Sequence, residues 1–115
     1  MIDYHNQKFF TRIDGIDRKD ADRILEIYER FRKLQGDKTG FVLESYPDDP
    51  VSLYFQEEGC RGNAEQLIRF ILECCRSVSL SGVWSFSWVY EYELFREGGC
   101  AGGACVIDLE RGAVL

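Results

Sequence analysis

The chain has 115 residues, of which 45% are hydrophobic and 30% charged, with only two prolines. That is the length and composition of one packed domain, residues 1–115, and it excludes a disordered chain, which is poorer in apolar residues. Fourteen basic residues against twenty acidic ones leave a net charge of −6, which counts against direct contact with nucleic acid or an anionic membrane, both normally met by clustered Lys and Arg.

No run approaches the roughly 18 apolar residues of a membrane span, and the opening MIDYHNQKFF lacks the basic-then-apolar pattern of a secretory signal. A cytoplasmic protein is expected. Cys60, Cys74, Cys75, Cys100 and Cys105 are odd in number, which predicts reduced, buried thiols rather than a disulfide framework.

Residues 8–14, KFFTRID, alternate Phe9, Thr11 and Ile13 with Phe10, Arg12 and Asp14, the period of a first strand. Asp17 then stands where a helix N-cap belongs, with Asp20 three residues on. Ala21, Ile24, Leu25, Tyr28, Phe31 and Leu34 recur at helical spacing up to the stop at Gly36. The runs FVLESY and VSLYFQ, joined by Pro47, Asp48, Asp49 and Pro50, predict a β-hairpin.

After Gly59 and Gly62, Asn63 is a good N-cap with Gln66 at the third position. Ala64, Leu67, Ile68, Ile71, Cys74, Cys75 and Val78 form the second helical stripe. From Val83 the pattern turns to strict alternation. Trp84, Phe86, Trp88, Tyr90, Tyr92 and Leu94 share one face, against Val83, Ser85, Ser87, Val89, Glu91 and Glu93 on the other. A glycine-rich turn, residues 98–103, leads to a last strand, ACVIDL, with Arg111 and Gly112 closing the domain.

The element order β-α-β-β-α-β-β predicts an α+β fold of ferredoxin-like, split βαβ type, with one antiparallel sheet and two helices on one of its faces. That superfold hosts many unrelated functions, so function has to come from particular residues.

EGGCAGGAC is not a phosphate-cradling loop, because no Lys and no helix follow the glycines. Cys100 and Cys105 fall short of the four N/S ligands of a structural zinc site. Cys74 and Cys75, adjacent on a helix, diverge by about 100°. The chain is therefore expected to fold without metal or cofactor. A cysteine nucleophile would want a basic neighbour, and the only histidine, His5, is remote in sequence from all five thiols. Glu91 and Glu93 project from one strand face about 7 Å apart, a spacing open to acid–base work but equally that of a solvated strand face. The aromatic row is read as core, with its far end, Tyr90 and Tyr92, projecting as binding anchors.

The stretch GVWSFSWVYEYE followed by GGCAGGACVIDLERGAV resembles the C-terminal half of small uncharacterised proteins of phages and mobile elements, which pair a Trp-rich strand with a glycine-rich turn and a final strand. The resemblance covers about a third of the chain and identifies no functional residue. It implies an acidic protein that binds and blocks a host nucleic-acid-processing complex, of the anti-restriction or anti-CRISPR kind, whose working channel is basic; opposite charge would speed and orient that encounter. The leading expectation is a non-catalytic protein-binding module using Glu57, Glu58, Glu91, Glu93, Glu97, Tyr90 and Tyr92. The alternatives are a small enzyme using a Cys or the glutamate pair, and a subunit that dimerises through a sheet edge.

Overall fold

The computed structural model describes residues 7–36, 39–46, 50–59, 62–90 and 102–115. In chain order the elements are β1 (Gln7–Lys8), β2 (Phe10–Ile16), α1 (Arg18–Gln35), β3 (Phe41–Tyr46), β4 (Val51–Glu57), α2 (Ala64–Ser77), β5 (Val83–Tyr90), β6 (Gly102–Asp108) and β7 (Ala113–Val114). The fold is α+β, with two helices and antiparallel strands throughout.

The strands form two sheets, not the single one expected: β1-β5-β6-β7 and β2-β4-β3. The division falls at Phe9, which belongs to neither β1 nor β2. Residues before it pair with β5, as Gln7 with Tyr90 and Lys8 with Val89, and residues after it pair with β4, from Phe10 with Gln56 onward. Gln7 is drawn aside by the start of α2. Its N–H donates to the Gly62 carbonyl at 3.0 Å, and its Oε1 accepts from the Ala64 N–H at 2.6 Å. A side chain at Gly62 would overlap the Gln7 carbonyl, so only glycine lets these backbones meet.

The two helices start differently. Asn63 caps α2 as its sequence position predicts, its Oδ1 accepting from the Gln66 N–H at 3.2 Å. Asp17 precedes α1 without a side-chain cap bond, and α1 opens on the Ala21 N–H donating to the Asp17 carbonyl at 2.8 Å. Ala21, Ile24, Ile27 and Tyr28 are buried, whereas Leu34, expected in the same stripe, is 83% exposed. Leu34 lies instead along the gap between α1 and α2.

One cluster of buried residues joins both sheets and both helices. Its centre is aromatic. Phe70 of α2 meets Phe41 at 5.3 Å, Phe31 at 5.7 Å, Tyr28 at 5.8 Å and Phe55 at 6.2 Å between ring centres. Tyr28 and Phe31 of α1 also meet Phe41, so both helices cover the same face of the three-stranded sheet. Trp84 ties in the second sheet by stacking on Phe86 at 4.8 Å and reaching Phe55 at 6.4 Å. Its indole N–H donates to the Thr11 hydroxyl at 3.1 Å, which satisfies two buried polar groups at once.

The aromatic alternation holds through Trp84 and Phe86, which are buried, and Trp88, which is half-buried with its ring over Gly103 of the neighbouring strand. The expected continuation through Tyr92 and Leu94, and Gly98 and Gly99 of the expected turn, lie outside the described residues. The chain does not close at Gly112. Asp108 Oδ1 accepts from the Glu110 and Arg111 N–H groups, Gly112 turns at φ +65°, and β7 pairs back onto β6.

Candidate functional site

The acidic and aromatic residues expected to bind are only partly in view. Glu57 ends β4 opposite Phe41 and is half-buried, as is Glu58 beside it. Tyr90 ends β5 opposite Gln7. Since Gln56 pairs with Phe10, the ends of β4 and β5 flank the start of the first extended segment. Glu58 is also one of the charges felt by the Tyr28 phenol, whose pKa is raised chiefly by burial. Glu91, Tyr92, Glu93 and Glu97 lie outside the described residues.

Among the described residues, burial works against thiolate formation at each of the three cysteines. Cys74 and Cys105 are buried and Cys75 is half-buried, and burial raises the pKa of all three, with the neighbouring Cys75 and Glu73 adding to the effect at Cys74. A thiol held protonated is a poor nucleophile and a poor metal ligand. Among the described residues no group of three or more His, Cys, Asp or Glu is placed to hold a metal ion. His5, Cys60 and Cys100 lie outside them.

The surface with the most chemistry is the face of the three-stranded sheet turned away from the helices. Alternation along β2, β4 and β3 sends Phe10, Arg12 and Asp14, then Ser52, Tyr54 and Gln56, then Val42, Glu44 and Tyr46 to that side. Register sets them in three cross-strand rows: Phe10–Gln56–Val42, Arg12–Tyr54–Glu44, and Tyr46 opposite Ser52. Tyr54 sits at the centre, 5.8 Å from Phe10 and 4.8 Å edge-on from Tyr46. The three rings form a diagonal across the sheet, with Phe10 64% and Tyr46 49% exposed.

Polar groups beside the diagonal are held in place. Arg12 pairs with Asp14 at 3.1 Å, and the Ser52 hydroxyl donates to Asp14 at 2.8 Å. The outer face of the second sheet continues the apolar character, with Val83, Val89 and Val106 exposed and Ser85, Ser87 and Ala104 between them.

No protein-family model, no curated protein and no solved structure matches this chain. Reading the sequence for charge missed the Phe10–Tyr54–Tyr46 diagonal, although its signal was present. In VSLYFQ the alternation that buries Val51, Leu53 and Phe55 necessarily turns Tyr54 outward.

Proposed function

We propose that this chain is a non-catalytic protein-binding module that docks through the open face of its sheets. The observation that carries this is the Phe10–Tyr54–Tyr46 diagonal, exposed at both ends and half-buried at its centre, with its bonded Arg12–Asp14 pair. Tyr and Arg are the residue types that dominate binding hot spots, and rings fixed by their neighbours lose little entropy on docking. An enzyme working through Cys74, Cys75 or Cys105 finds no support in thiols whose pKa burial raises.

The strand pairings favour a ferredoxin-like scaffold for the module: read through the first segment, the order β3-β4-β2 followed by β1-β5 is that of a split βαβ unit. The partner we propose is a host nucleic-acid-processing protein with a basic surface, on the strength of the C-terminal resemblance to small phage proteins and the net charge of −6. In this scheme the aromatic face supplies affinity, while the chain's charge, with Glu57 and Glu58 on one flank, steers the encounter.

The test is capture from a host lysate by the tagged chain and by a Phe10→Thr, Tyr54→Thr variant, followed by binding kinetics with the captured protein. A partner kept by the wild type and lost by the folded variant, with association slowed by salt, is the expected result. A partner held equally by both proteins removes the sheet face from the proposal, and a salt-insensitive association rate removes the steering.

A further inference from the structure

A second surface has the opposite chemistry. Between α1 and α2 lies a groove of about 450 Å³, lined by residues of the two helices alone. Its apolar lining is the buried Ile27, together with Phe31 and Leu72, both packed partly against the core, and Leu34, 83% exposed. Ile27, Phe31 and Leu34 stand at i, i+4 and i+7, so the stripe that anchors α1 in the core runs on, past the core, into the groove.

Arginines rim it from both helices. Arg30, Arg69 and Arg76 face a single acidic lining residue, Glu73, in a chain whose net charge is −6. Arg69 pairs with Glu65 at 2.9 Å and Arg76 with Glu73 at 3.7 Å, both pairs within α2 and both exposed. Such pairs contribute little and are readily exchanged for a better partner. Arg30 makes no ion pair among the described residues.

We infer that this groove docks an acidic amphipathic helix of a partner protein. The seven-residue step from Ile27 to Leu34 covers about 10 Å of axis, the rise between apolar anchors at i and i+7 of a docked helix. Packing of a third helix on two is the ordinary use of an interhelical groove. The rim selects carboxylates, because guanidiniums bind them through paired, charge-assisted hydrogen bonds. A polyanion such as RNA, or an anionic bilayer, would spread its charge over the acidic remainder of this chain; one short helix with a few carboxylates meets the three arginines without doing so.

The inference does not rest on the open sheet face, and one experiment separates the two. A fluorescent helical peptide of about 16 residues, with leucines at i, i+4 and i+7 flanked by glutamates, is titrated with the full chain and followed by anisotropy. Saturable, salt-sensitive binding is expected, weakened about tenfold or more by Arg30→Glu and by Leu34→Asp, both exposed positions, and unchanged by Tyr54→Thr. Absence of binding overturns the inference. So does equal binding of a peptide with lysines for glutamates, indifference to both groove variants, or Arg30-dependent binding of phosphatidylserine vesicles or oligothymidine in the peptide's place.

Discussion

Phe9 and Phe10 are adjacent and identical, yet Phe9 is 5% exposed and Phe10 is 64% exposed. Each belongs to an aromatic row. Phe9 meets Phe86 edge-on at 5.9 Å and through it the stacked Trp84, while Phe10 meets Tyr54 and through it Tyr46. The tightest ring pair in both rows is 4.8 Å between centres, so ring contact does not distinguish them. What differs is the cover: the inner row lies beneath the helices and the outer one does not. Inner rings hold the fold together through the apolar area they remove from water, whereas outer rings keep that area available for a partner.

The largest effect should come from the inner side. Phe70 is fully buried and touches Tyr28, Phe31, Phe41 and Phe55, so Phe70→Ala is expected to cost about 3–5 kcal/mol in urea denaturation. A loss below about 1 kcal/mol would mean that the cluster around Phe70 can close over the gap and is no tightly packed core. Thr11→Val sharpens the same point at nearly constant volume. It leaves the Trp84 indole N–H buried without its 3.1 Å partner and should cost about 1–3 kcal/mol, while Trp84→Phe combined with Thr11→Val should recover part of that loss.

These inner contacts also show what a sequence can and cannot disclose. Alternation through Phe9, Thr11 and Ile13, the Asn63 cap and the turn of Trp84 and Phe86 toward the core are local patterns, and all are legible in the chain. The Thr11–Trp84 bond joins residues 73 apart and the Gln7–Ala64 bond residues 57 apart. No local pattern announces either, and the second helps divide the sheet at Phe9. Leu34 misled for a related reason, since helical spacing reports which side a residue is on but not where the core beneath it ends. The outer diagonal needed the β3–β4 register to bring Tyr46 to Tyr54; alternation shows that both point outward, and only pairing shows that they meet.

Titration separates inner groups from outer ones by a smaller amount. Burial raises the thiol pKa of Cys74, Cys75 and Cys105 in the folded chain, so the stabilisation of their protonated forms is complete below the unfolded value of about 8.5 and is lost as pH rises through the folded values. Above about pH 8.5 the unfolded chain releases a Cys74 proton that the folded chain retains, and stability should fall by on the order of 1 kcal/mol per pH unit. Denaturation at pH 7 and at about pH 9.5 measures the slope, and Cys74→Ala should flatten it. A slope untouched by that substitution would place Cys74 in contact with water.

The smallest effect on stability is expected at Phe10, where the comparison between neighbours is most direct. Its recorded ring contact is Tyr54, tilted at 44°, and an exposed aromatic pair is worth about 0.5–1.5 kcal/mol beyond its area. Threonine keeps the β-propensity of the strand while removing the ring. Phe10→Thr should therefore change stability by less than about 1 kcal/mol and leave the Phe41–Phe70 cluster untouched. The same substitution at Phe9 places a hydroxyl in the core, empties the site against Phe86, and should cost about 3 kcal/mol or more. Only Phe10→Thr should weaken the captured partner without unfolding the chain. Should the two variants prove equally unstable, the outer face is part of the core, and the docking surface proposed for it does not exist.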